Sequence, residues 1–233
     1  MPELAIVAAL EREIRPLVRD WRVGEGEHAG KRFRFFETDH CVAVCGGIGQ
    51  AAARRATAAL IARYHPTKIL SVGFAGALDA NLKIGCVLEV HQLIDARDGS
   101  RKETGPGTAV LISFSSIAGE EQKRKLASAY QAQIVDMEAA GVAHAAEAQG
   151  IEFGVVKVVS DELGFPMLPM GRFINGEGAF HGGQFAAYAA IRPWLWGRVL
   201  RLARDSSRAA NSLCAYLRDN IEYAALPRTK VAQ

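Results

Sequence analysis

Short runs rich in Val, Ile and Leu alternate along this chain with longer segments of helical period, and that alternation predicts strands and helices in turn. Residues 4–10 form the first apolar run, and 11–20 follow as a helix in which Ile14, Leu17 and Val18 recur on one face. Residues 32–37 and 41–45 read as a hairpin around Thr38-Asp39. The turn Gly46-Gly47-Ile48-Gly49 opens an Ala-rich helix over 50–64. Buried strands are predicted at 69–74 and 87–94, a polar surface loop at 95–107, and a strand at 109–114. A helix at 119–130, a strand at 133–135, a helix at 138–149 and a strand at 153–159 complete the regular part. Beyond Asp161 the texture changes to a proline-bearing loop, a glycine-rich stretch over 171–183, and a long helix over 192–223 with a break expected at Pro193.

Strands alternating with helices imply an α/β domain of three layers, α/β/α, around a central mixed, mostly parallel sheet. The domain is expected over residues 1–191, with 192–233 as a basic C-terminal helical segment packed on it or appended to it. Composition is that of a globular chain: of 233 residues, 49% are hydrophobic and 23% charged, which excludes wholesale disorder and fibrous repeats. Cys41, Cys45, Cys86 and Cys214 are scattered without metal-ligand spacing, so neither a zinc site nor another metal is expected, and the thiols fit a reducing, cytoplasmic setting. The first apolar run is too short and wrongly flanked for a signal peptide, and no stretch reaches membrane-spanning length. The net charge is only +3, and without a nucleic-acid-binding pattern this argues against a nucleic-acid partner.

Position makes the charge more informative. After residue 191 eight basic residues face three acidic ones, so the first 191 residues carry about −2. Three acids sit where α/β sheets place their chemistry, just past buried strands: Glu13, Glu138 with Asp136 beside it, and Asp161 next to Ser160. Each alone has a second explanation, because acids and serines also cap helices. The glycine turn 46–49 is equally open, to an anion cradle at a helix N-terminus or to a tight strand-to-helix turn.

Taken in order, Ala8-Ala9-Leu10-Glu11-Arg12-Glu13-Ile14, Gly46-Gly47-Ile48-Gly49-Gln50, Gly73-Phe74-Ala75-Gly76, Val135-Asp136-Met137-Glu138-Ala139 and Val158-Val159-Ser160-Asp161 resemble the nucleoside phosphorylase and nucleosidase superfamily. The pattern is most similar to its bacterial methylthioadenosine/S-adenosylhomocysteine nucleosidase branch, over residues 4–161. The resemblance implies an enzyme that cleaves the N-glycosidic bond of a purine, adenosine-type nucleoside and needs no cofactor or metal. It casts Asp161, oriented by Ser160, as the acid that protonates purine N7, and Glu13 as the base that activates water. A raised carboxyl pKa at an apolar strand end would suit the first role. Glu138 is matched to ribose hydroxyls, Met137 to the sugar face, and Ile117 and Ala118 to the purine base. Phe74 and Gly76 fall among the substrate-binding positions. A homodimer is implied by the same family.

Departures qualify the match. Phe74 stands where the family often has Ser, and Leu70-Ser71-Val72 lacks the arginine by which phosphorylase members hold phosphate. Water is therefore the expected nucleophile, with phosphorolysis the alternative if Arg12, Arg15 or a partner's arginine rebuilds an anion site, phosphate then being a co-substrate. The apolar stretch 165–173 is also similar to hopanoid-associated phosphorylase-like members, whose adenosine substrate carries a lipid tail. The non-enzyme alternative is a nucleoside-binding or membrane-surface protein, because Trp194, Trp196, Leu200 and the arginines after 191 form a basic amphipathic pattern. The mixed-charge run 120–125 reads as a solvated helix face. Among six histidines only His181, between Phe180 and two glycines, invites attention.

Overall fold

A computed structural model describes residues 2–224. Its strands are β1 (Leu4–Ala8), β2 (Arg22–His28), β3 (Lys31–Glu37), β4 (Cys41–Cys45), β5 (Lys68–Ala77), β6 (Val87–Asp95), β7 (Arg101–Glu103), β8 (Ala109–Ser113), β9 (Ile134–Asp136) and β10 (Glu152–Asp161). The helices between and after them are α1 (Glu11–Val18), α2 (Gln50–Tyr64), α3 (Glu120–Tyr130), α4 (Ala139–Glu147), α5 (Gly182–Ala190) and α6 (Pro193–Ala224).

β1 pairs in parallel with β4 on one edge and β5 on the other, and β3 and β2 extend the sheet outward from β4 in antiparallel fashion. Period-two alternation along β1 explains its coverage by helices. Ile6 and Ala8 pack with α1 and α6, while Ala5 and Val7 pack with α2 and α4. The other half of the sheet departs from the layered, mostly parallel expectation. β10 follows β5 in parallel from Lys68 to Gly76, but β1 covers β5's opposite edge only from Lys68 to Ser71. The short β9 then pairs with Gly76 and Ala77 in the antiparallel sense. Because β10, β6, β8 and β9 are themselves joined in that order, the ladder returns to β5 and closes a five-stranded ring. The cause is a mismatch in length. β5 has ten residues and β1 only five, so the far half of β5 presents backbone donors and acceptors that need a second partner. Parallel and antiparallel ladders are equally represented among the described strands.

Other differences have equally local reasons. β2 escapes the hydrophobic pattern because it is an exposed edge strand of sequence RVGEGEH. The polar stretch 95–107 contains β7 paired to β6, and Asp95 at its start is buried and holds Arg97 at 2.8 Å. α5 grows out of the glycine-rich stretch, and the 3-10 turn Met170–Phe173 precedes it. Pro193 begins α6 rather than breaking it, since a first helical residue has no use for its N–H. α6 buries Ala209, Leu213, Cys214 and Leu217 against α1, β1 and β10. Its first turns leave Trp194 (69% exposed) and Leu200 (69%) in solvent. Residues 225–233 of the basic segment, Arg228 and Lys230 among them, lie outside the described residues. The four cysteines are free thiols.

Candidate active site

The site lies where β1 and β9 part company along the edge of β5. In that interval β5 carries Val72 to Ala75 without a partner on that edge, and the chain ends of β1, β9 and β10 converge there. Glu13 enters from the first turn of α1, Met137 and Glu138 from the step between β9 and α4, and Ser160 and Asp161 from the end of β10. Phe74 and Gly76 belong to β5 itself, and Ile117 and Ala118 to the connection from β8 to α3. All nine residues singled out in the sequence line one cleft of about 150 Å³. Asp161 is the last residue of β10 rather than a loop residue, and a register shift between Val159 and Asp161 re-aims the strand end.

Two glycines of the Gly73-Phe74-Ala75-Gly76 run make the room. Gly73 has φ +136, and a side chain there would run into Glu13 Oε2. A Cβ on Gly76 would stand 2.9 Å from Lys123 Cε and 3.0 Å from Asp161 Oδ2. Gly76 thus acts by leaving space for the acid.

One side of the cleft holds an excess of carboxylates. Lys157, in the middle of β10, bonds Asp136 Oδ2 at 2.9 Å and donates to Ser71 Oγ at 3.2 Å. Asp136 Oδ2 also accepts the first α4 amide, that of Ala139, at 2.9 Å. Burial disfavours the ammonium, but Asp136, Glu138 and Glu13 around it outweigh that, and the Lys157 pKa is raised. Glu138 Oε1 accepts the Gly49 amide at 2.8 Å and Oε2 the Met137 amide at 3.2 Å. The glycine turn therefore serves Glu138, a use that neither sequence explanation foresaw. Burial, and then the charge of Asp136, push Glu138 up to about 8. Glu13 is buried, its Oε2 has no hydrogen-bond partner among the described residues, and burial pushes it up to about 7 against the pull of Lys157 and Arg12.

The other side is balanced. Ser160 Oγ donates to Asp161 Oδ1 at 2.7 Å. Lys123 of α3 pairs with Asp161 Oδ2 and donates to the carbonyl of Glu162 at 2.9 Å. This corrects two expectations: 120–125 is not a wholly solvated face, and Asp161 is not an isolated acid at an apolar strand end. Glu120, Glu121, Arg124 and Lys125 do form exposed i,i+4 pairs, but Lys123 shares the inner face with Leu126 and is 1% exposed.

Sequence reasoning missed Lys123, Lys157 and the cleft residues Met167 and Met170, while Arg12, raised there as an anion ligand, does line the cleft. A signal existed for Lys157: a lysine in Val155-Val156-Lys157-Val158-Val159 must find a counter-charge if the strand is buried. His181 stands exposed before α5 and does not line the cleft. Among the described residues no group of His, Cys, Asp and Glu is placed to hold a metal, and no helix is long and apolar enough to cross a membrane.

A second cavity of about 290 Å³ shares Arg12, Phe74 and Met170 with the cleft and continues between α5 and α6 past Phe180, Phe185 and Leu202. The Arg12 guanidinium lies 5.9 Å from the Phe180 ring centroid.

Comparison with known proteins places the chain among related sequences and folds. The chain is 24% identical over 196 residues to the 5'-methylthioadenosine/S-adenosylhomocysteine nucleosidase of Staphylococcus aureus, covering 68% of this chain and 86% of that one. It is 37% identical over 86 residues to the enzyme of the same name from Colwellia psychrerythraea, a match spanning 36% of this chain and 35% of that relative. The apo structure of 5'-methylthioadenosine nucleosidase from Arabidopsis thaliana superimposes with a TM-score of 0.72 at 17% identity, over 97% of this chain and 98% of that one. The family model of the phosphorylase superfamily matches residues 3–115 and 107–168, the whole stretch that builds the cleft from Glu13 to Asp161, and the chain belongs to that superfamily.

Proposed function

We propose that this protein hydrolyses the N-glycosidic bond of an adenosine-type nucleoside. The observation that carries the reading is the convergence, in one cleft, of an unpaired carboxylate raised to about 7 and a Ser160-supported aspartate. Glu13 takes a proton from water as its oxygen bonds C1′. The C1′–N9 bond breaks, its electron pair passes to the purine, and N7 receives a proton from Asp161. Glu138 hydrogen-bonds the ribose hydroxyls and holds the sugar in place as it gains oxocarbenium character. Met137 packs on the sugar, and Ile117 and Ala118 face the base. The named relatives act on methylthioadenosine and S-adenosylhomocysteine, and the second cavity, reached past Phe74, has the apolar lining that a thioether substituent at the 5′ position requires.

Incubation with adenosine, methylthioadenosine or S-adenosylhomocysteine, with and without phosphate, followed by chromatography, should show free adenine independently of phosphate. Absence of adenine from all three overturns the reading. Arg12 at the cleft mouth is the observation that favours phosphorolysis, and release that requires phosphate would establish it. The aromatic lining of the second cavity equally admits a longer apolar 5′ tail, as in the hopanoid-associated members, which competition between methylthioadenosine and 5′-alkyl analogues measures. A homodimer is part of the proposal, and sedimentation equilibrium tests it. The surface-binding alternative rests on exposed Trp194, Trp196 and Leu200, and vesicle co-sedimentation decides it.

A further inference from the structure

We propose that Lys123 is the positioning residue behind the acid: it holds Asp161 in place and stores the proton that leaves with the base. The inference rests on the nucleosidase reading and extends it to a residue on a different element. Burying an ammonium is costly unless every N–H is answered. Lys123, 1% exposed, points all its hydrogen bonds at one short piece of chain: the Asp161 carboxylate, the Asp161 carbonyl at 3.3 Å and the Glu162 carbonyl at 2.9 Å. β5 leaves the space this requires, since any side chain at Gly76 would press on both Lys123 Cε and Asp161 Oδ2. The arrangement also accounts for both oxygens of Asp161, with Ser160 donating to Oδ1 and Lys123 to Oδ2.

With Ser160 donating to Oδ1 and Lys123 to Oδ2, Asp161 stands between the purine and a cationic donor, so the proton for the purine is passed through it from a neighbour. Lys123 is the neighbour that has one. As the C1′–N9 bond breaks and its electron pair enters the ring, the Lys123 ammonium passes a proton to the Asp161 carboxylate while Asp161 passes one on to N7. The sum is one proton moved from Nζ to N7, leaving a neutral amine, a carboxylate and neutral adenine. After adenine departs, solvent returns the proton to Nζ. The lysine need not touch the substrate, and its ammonium also fixes which rotamer Asp161 presents.

Lys123→Met and Lys123→Arg are assayed beside the wild type for adenine release and for cleavage of 4-nitrophenyl β-D-ribofuranoside, whose phenolate leaves without being protonated. For Lys123→Met, kcat for adenine release should fall about 100-fold with KM changed less than about threefold, in the range of a lost general acid. Nitrophenolate release should stay near the wild-type rate, which a misfolded variant would not show, and Lys123→Arg should recover part of the loss in adenine release. The inference is overturned by adenine release within threefold of wild type, or by equal loss on both substrates. A wild type that frees no adenine from any nucleoside overturns the nucleosidase reading, and this inference with it.

Discussion

The two sides of the cleft solve the same problem, a buried carboxylate beside a lysine, with opposite stoichiometry. Around Lys157 three carboxylates, Glu13, Asp136 and Glu138, share one ammonium. Around Lys123 a single carboxylate, Asp161, has an ammonium and a hydroxyl to itself. Burial is what raises Glu13 to about 7 against the pull of Lys157 and Arg12, and burial followed by the charge of Asp136 is what raises Glu138 to about 8. The paired side meets no such crowd, since the Asp161 oxygens face the Ser160 hydroxyl and the Lys123 ammonium. On the proposed mechanism the carboxylate-rich side receives a proton and the paired side supplies one.

Removing the shared cation should break this comparison most severely. Lys157→Met leaves Asp136 buried without its partner and should cost about 3–5 kcal/mol of stability, read from urea unfolding. A loss below about 1 kcal/mol would mean that the carboxylates simply hold their protons, and that the excess charge does not exist. Glu13→Gln tests the acceptor directly. Adenine release should drop about 10²–10⁴-fold. In the wild type kcat/KM should rise with pH through about 7, the pKa to which Glu13 is raised, and this limb should vanish in the variant.

Stability should follow the same groups with a definite sign. Glu13 holds a proton in the folded state that the unfolded chain has lost, so folding stability should fall as pH rises from about 4.5 to about 7, and further through about 8 for Glu138. For Glu13 alone the effect is on the order of 3 kcal/mol, at about 1.4 kcal/mol per pH unit. Thermal unfolding of Glu13→Gln should show a flatter slope, and an unchanged slope would remove Glu13 from the account. The smallest effect is expected on the outer face of α3. Glu120→Ala breaks an exposed pair with Arg124 and should change stability by no more than about 0.5 kcal/mol, in contrast to any substitution of Lys123 one turn away on the inner face.

Much of this was readable in the chain. Residues 50–64 were legible as a helix to the residue, because an alanine-rich run between a glycine turn and a left-handed cap at His65 has little alternative. β3 and β4 announced themselves by apolar runs on either side of a three-residue connection. β2 did not, because a strand at the rim of a sheet needs no apolar face, and β7 did not, because three residues are too few to show a period. The acids Glu13, Glu138 and Asp161 stood out by falling at strand ends, and the structure brings all three to one cleft. Their partners did not stand out. Lys123 sits in a run of six charged or polar residues of which only its position relative to Leu126 distinguishes it.

The chain by itself therefore determined most of the strands and helices, though not β2, β7 or α5, and which carboxylates end them, because periodicity and strand-end placement are properties of neighbours in sequence. The tertiary structure alone decided the charge state of those carboxylates. Whether an acid is raised or paired depends on burial and on which cation lies across the cleft, and Lys123 and Lys157 reach their acids from α3 and from mid-β10 through a sheet that closes upon β5.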